Sequence, residues 1–126
     1  MTKGLAFLLG MLMEGVVAAL LGLLLRKQFG VSGFSAAVRC GAAAVIATGA
    51  TNPAIWAWFS SLEGWTGSWW GAAALSEAGV ILVEALFYVA ALHGHWRWSL
   101  VLSVVVNAAA FGGGAVAGWL PIPAMG

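Results

Sequence analysis

The stretch that decides the fold is residues 5–25, LAFLLGMLMEGVVAALLGLLL, an apolar run that only Glu14 interrupts. A bilayer core of about 30 Å needs roughly 20 apolar helical residues to cross it. Arg26 and Lys27 end the run, so the stretch predicts a transmembrane helix. A cleaved signal peptide fits less well, because the apolar region is too long and no small-residue cleavage site follows it directly.

The composition extends this interpretation to all 126 residues. Hydrophobic residues make up 63% of the chain, charged residues only 7%, and the mean hydropathy is +1.01. Soluble domains carry about a quarter charged residues, and disordered chains are poor in apolar ones. The net charge of +1 and the lack of a basic patch argue against nucleic acid as a partner. We expect one domain, residues 1–126, with the lipid bilayer as its solvent.

Three further apolar runs predict spans at about residues 40–59, 71–92 and 98–120, the last ended by Pro121 and Pro123. Because these runs are continuous, they do not fit the alternating polarity of membrane barrels. The fold class is therefore an all-α integral membrane protein, a bundle of four transmembrane helices. Its many Ala and Gly residues permit close helix contacts.

Asn52-Pro53 lies inside the second run, and proline removes a backbone donor and clashes with the preceding turn. We expect the second span to be kinked or broken there. In the alternative interpretation, Asn52 caps a short new helix that starts at Pro53. Asn52-Pro53-Ala54 also resembles the tripeptide of water channels, but those proteins have two copies and this chain has one.

Basic residues predict the orientation. Arg26, Lys27, Arg39 and Arg97 flank the first and third connections, whereas Lys3 alone lies on the other side. By the positive-inside rule, both termini face away from the cytoplasm. We expect the protein in a bacterial inner membrane, with most of its tryptophans in the outer interfacial belt.

The two halves of the chain resemble each other faintly. Glu14 and Arg26 correspond to Glu84 and Arg97, and the pair Thr48 and Asn52 corresponds to the pair Ser103 and Asn107. This spacing suggests a parallel repeat of two helical hairpins.

Acids inside a membrane are costly and indicate function by default. Glu14 and Glu84 fall near the middle of their spans, as does Asn107. The sequence predicts an intramembrane seam for protons or small cations, with Thr48 and Asn52 toward the outside; its residues are Glu14, Glu77, Glu84, Asn107, Asn52 and Thr48. In the alternative interpretation, each Glu is protonated and only holds helices together by hydrogen bonds.

Other chemistry has weaker support. His93 and His95 could bind a metal or a haem-like cofactor, but two histidines without a third ligand favour a pair of interfacial residues. No nucleophile with a nearby base, phosphate loop or dinucleotide fingerprint is present, so an enzyme is the less favoured class.

Two functions remain. The first is transport of protons or small cations through the seam, in a homo-oligomer or a larger complex. The second is a non-catalytic accessory or assembly subunit of a membrane complex, which could itself carry pigments or redox cofactors. Hydrated acids would favour transport, and dry, paired acids the subunit.

Overall fold

The computed structural model describes residues 2–118, except the side chain of Lys3. Within that range the chain forms only helices, namely α1 (Lys3–Leu24), α2 (Arg26–Phe29), α3 (Gly33–Thr66), α4 (Trp69–Ala91) and α5 (Trp96–Ala117). All but α2 are long and apolar enough to cross a membrane. The all-helical fold and the four helices of spanning length are thus confirmed. The predicted end of the fourth span, with Trp119, Pro121 and Pro123, lies outside the described residues.

Hydroxyl side chains start three of the long helices. Thr2 Oγ1 accepts a hydrogen bond from the Leu5 amide at 3.2 Å, and Ser32 Oγ accepts one from Ser35 at 3.2 Å. Ser68 Oγ accepts from the Gly71 amide at 2.9 Å. Such caps satisfy amides that have no partner in the first helical turn. Gly67 then ends α3 with a φ of 78°, a left-handed conformation that favours glycine.

The predicted break at Asn52-Pro53 is wrong, since α3 continues without interruption from Gly33 to Thr66. Pro53 costs this helix one amide donor, whereas a break would leave several backbone groups without partners in lipid. The exposed Pro53 ring meets no tight packing. Nearby, the Thr51 hydroxyl donates to the Ala47 carbonyl at 2.9 Å. The alternative, a new helix capped by Asn52, is wrong for the same reason.

The same helix is longer than the span predicted for residues 40–59. Its 34 residues correspond to about 51 Å at 1.5 Å per residue, well beyond a hydrocarbon core of about 30 Å. The polar segment around Trp65 therefore forms the last turns of α3.

The long helices pack in a closed order. Helix α3 lies against α1 and α4, and α5 lies against α4 and α1. The connections between successive long helices are short, so neighbours along the chain are antiparallel. This arrangement is compatible with the predicted bundle.

Glycines allow α1 and α3 to approach closely. A Cβ atom on Gly22 would lie 2.8 Å from the Ala36 carbonyl oxygen and 2.6 Å from Cys40 Sγ. A Cβ on Gly41 would lie 3.2 Å from the Gly15 carbonyl oxygen. Small residues at such positions are typical of helix contacts in membranes.

The two ends of the protein differ in chemistry. We call one the basic end, because the Arg39 guanidinium meets His93 Nε2 there at 2.5 Å and Phe29 packs against His95. The other, the tryptophan-rich end, carries Trp56, Trp58, Trp65, Trp69 and Trp70, with Trp56 against Phe7 and Trp69 against Phe59. The apolar core fills the space from the centre toward the basic end; its members include Ala18, Phe29, Cys40, Tyr88, Leu92 and Leu102.

The outer surface is strongly apolar. Leu12, Phe34 and Leu86 are 64%, 82% and 69% exposed. Exposed side chains of this size are suited to contact with lipid, and would be unfavourable in water.

A candidate proton site between four helices

Four polar side chains meet in the interior, one from each long helix. We call this cluster the polar core; it consists of Glu14 of α1, Thr48 of α3, Glu84 of α4 and Asn107 of α5. Thr48 and Glu84 are fully buried, and Glu14 and Asn107 are only 8% and 4% exposed. Their convergence follows from the packing, because each residue lies on the inward face near the middle of its helix.

Thr48 joins the two acids. Its hydroxyl hydrogen-bonds to Glu14 Oε2 and lies 3.4 Å from Glu84 Oε1. A side chain of α3 therefore bridges a carboxyl group of α1 and one of α4.

Asn107 fixes the other side of Glu84. Its Nδ2 donates to Glu84 Oε2 at 2.6 Å and to the Ser103 carbonyl oxygen at 2.9 Å. The Ser103 hydroxyl donates to the Ile81 carbonyl at 2.8 Å. Because the Ser103 carbonyl can only accept, the amide of Asn107 must present its NH₂ group on this side. The orientation of Asn107 is thereby set by its own helix.

Counting donors shows what the polar core can do chemically. A threonine hydroxyl has one proton to donate and two lone pairs that accept. Thr48 can donate to Glu14 and still accept a hydrogen bond, but only from a protonated Glu84. The arrangement then runs from Glu84 Oε1 through Thr48 Oγ1 to Glu14 Oε2, a path along which one proton can be shared.

No basic side chain neutralises the acids among the residues described. Arg39 donates to the Ala91 carbonyl at 3.4 Å and contacts His93, and it makes no contact with the acids. It thus satisfies a carbonyl at the end of α4. Two ionised carboxylates side by side without a cation would repel each other strongly in a medium of low polarity.

Among the described residues, the other predicted seam residues are not hydrogen-bonded to the polar core. Glu77 is half-buried on the same face of α4, seven residues before Glu84, and Asn52 is half-buried one turn beyond Thr48. Within the described part of the chain neither side chain makes a hydrogen bond. Thr48, which the sequence placed with Asn52 toward the outside, lies between the two acids instead.

The predicted histidine pair lies at the basic end. His93 has a φ of 56°, and its Nε2 faces Arg39. His95 packs against Phe29. The residues that the structure describes contain no group of three or more His, Cys, Asp or Glu side chains that could hold a metal ion.

Sequence reasoning missed Tyr88 and Ser99, two fully buried side chains whose hydroxyl groups have no hydrogen-bond partner in the part of the chain that the structure describes. A signal was present. Tyr88 follows Glu84 by four residues and Ser99 precedes Ser103 by four, so each shares a helix face with the polar core.

Comparison of the chain with known proteins found no match. No protein-family model matches the chain, and no curated protein or solved structure is significantly similar to it.

Proposed function

We propose that the protein is an integral membrane protein that handles protons through the polar core. The observation that carries the proposal is the bridge of Thr48 between Glu14 and Glu84. Two buried acids that have no basic partner among the described side chains have a site for a shared proton, and acids at this depth are by default functional.

Close packing favours a proton over a hydrated cation. The four side chains are at most 8% exposed and contact one another directly. A proton moves along hydrogen bonds without needing a cavity, whereas a hydrated ion needs space. A dehydrated cation such as Na⁺, held by the carboxyl and hydroxyl oxygens, is the alternative cargo.

The orientation is part of the proposal. Arg26, Lys27, Arg39 and Arg97 lie toward one end, which we assign to the cytoplasmic side of a bacterial inner membrane. Both termini then lie outside. A reporter enzyme that works only outside the cytoplasm should be active when fused to the C-terminus, and an inactive, stably expressed fusion contradicts this orientation.

A homo-oligomer or a place among other membrane subunits is also proposed. Gly15, Ala19, Gly41 and Ala42 line part of an open apolar groove between α1 and α3. Small residues allow another helix to approach closely.

One observation favours the second candidate, an accessory subunit of a larger membrane complex. The acids are dry and paired, and their hydrogen bonds join all four long helices. A polar core of this kind can also serve only to fix the packing of helices.

Proton flux into liposomes separates the two functions. In Glu84→Gln the side chain keeps its shape and a hydrogen-bonding group but loses its titratable proton. We expect this variant to lose flux while its melting temperature changes little. Glu63→Gln makes the same change at an exposed position of α3 and serves as the control. Wild-type liposomes without proton flux, or unchanged flux in Glu14→Gln and Glu84→Gln together, would contradict the proposal and leave the subunit as the better account.

A further inference from the structure

Beyond the polar core, toward the basic end, lie two buried hydroxyl groups without a hydrogen-bond partner among the described residues. Tyr88 Oη and Ser99 Oγ have no hydrogen-bond partner among the described residues 2–118, although both side chains are fully buried. An unsatisfied buried hydroxyl is unfavourable, and such groups normally bind an ordered water molecule. The two hydroxyl groups therefore indicate a buried polar site that can bind water.

Tyr88 and Ser99 lie at one level of the helix pair α4–α5. The bonds from Ser103 to Ile81 and from Asn107 to Glu84 set the antiparallel register of this pair. Tyr88 lies one turn beyond Glu84 on α4, and Ser99 lies one turn before Ser103 on α5. Because the two helices are antiparallel, both steps lead toward the basic end and bring the two residues to about the same level. The two hydroxyl-bearing residues thus follow directly on the polar core.

The surroundings make this position distinctive. Toward the basic end the interior is filled by apolar residues such as Ala18, Leu92 and Leu102. In the described part of the chain, Tyr88 and Ser99 carry the only buried hydroxyl groups without a hydrogen-bond partner between the polar core and that end; the third such group, Ser76 Oγ, lies on the opposite side, eight residues before Glu84.

We infer that Tyr88 and Ser99 carry protons between Glu84 and the basic end, with water held between their hydroxyl groups as the mobile carrier. This inference rests on the proton-handling function proposed above. It assigns a direction to the path, because both residues lie on the side of the polar core that faces the end where Arg39 and His93 meet.

The step conserves atoms and charge. Each hydroxyl oxygen accepts one proton on a lone pair and releases its own proton to the next acceptor. Glu84 gives up the first proton and the last one leaves to water at the basic end. Tyr88, Ser99 and the bridging water are chemically unchanged after each transfer.

The test removes single hydroxyl groups and measures proton flux in liposomes of the full-length protein. Tyr88→Phe and Ser99→Ala keep the packing of the apolar core almost unchanged. We expect each to slow the flux by about tenfold or more, in keeping with the roughly 100-fold contributions of positioned proton-transfer groups. The control is Thr51→Val, which deletes a buried hydroxyl that is already bonded within its own helix and should leave flux at the wild-type level.

The outcomes are distinct. Flux that depends on Glu84 but is unchanged in both Tyr88→Phe and Ser99→Ala overturns this inference and leaves the proposed function intact. Wild-type liposomes without flux overturn the proposed function, and the inference with it. Melting temperatures identify a variant that fails to fold, and Ser99→Ala, the smaller change, then decides the question alone.

Discussion

The hairpins α1–α3 and α4–α5 each set a glutamate against a polar side chain of the partner helix, but at different levels. In the first hairpin, Glu14 meets Thr48, and the Asn52 side chain makes no hydrogen bond with any residue that the structure describes. In the second, Glu84 meets Asn107, while Ser103, which the suggested repeat matches with Thr48, donates to a backbone carbonyl. The glutamate therefore binds Thr48 in the first hairpin, whereas in the second it binds Asn107, which lies one turn after Ser103.

The shift by one turn explains how the hairpins join. Thr48 is free to reach across to Glu84 as well as to Glu14 because no other group occupies its hydroxyl. Asn107 cannot do the same, since both protons of its amide are used by Glu84 and Ser103. The first hairpin therefore supplies the bridge, and the second holds Glu84 in place. Two matched hairpins with identical contacts would lack this link.

The hairpins also differ in how closely their helices approach. Gly22 brings α1 against the backbone of α3 at Ala36, so a larger side chain has no room. We expect Gly22→Val to lower the free energy of unfolding by about 3 kcal/mol, the upper part of the usual cost of overpacking. Thermal unfolding in detergent measures this loss.

Gly10→Ala is the matched control on the same helix, because a Cβ there meets no atom within 4 Å. It should be neutral or slightly stabilising, as alanine favours helix more than glycine does. Equal destabilisation by both variants would show that the close contact between α1 and α3 at Gly22 does not determine the stability of the first hairpin.

Asn107 and Asn52 are counterparts in the repeat that the sequence suggests, and they should differ in effect. Asn107→Ala leaves Glu84 Oε2 without its donor, and we expect a loss of about 1–3 kcal/mol. Asn52→Ala removes no hydrogen bond seen in the structure and should change stability by less than about 0.5 kcal/mol. Unfolding curves of the two variants in the same detergent give the comparison. Equal losses would mean that Asn52 also has a buried partner.

The sequence carried much of the fold and part of the site. Four apolar runs predicted four spanning helices, and the mid-span positions of Glu14, Glu84 and Asn107 predicted that they meet. Pro53 was misjudged because a local rule for helix breaking ignores the cost of unpaired backbone groups in lipid. Asn107 binds Glu84, whereas Asn52 makes no hydrogen bond with a described residue. This difference depends on helix rotation and register, which the apolar pattern alone does not determine.

The central claim is that the acids of the two hairpins form one site that shares a proton. The most direct measurement is a double-mutant cycle on proton flux in liposomes, with Glu14→Gln, Glu84→Gln and the double variant. Groups that act as a unit are strongly non-additive. We predict that each single variant falls to the same residual flux as the double variant. Flux losses that multiply in the double variant, or single variants that retain wild-type flux, would contradict a shared site.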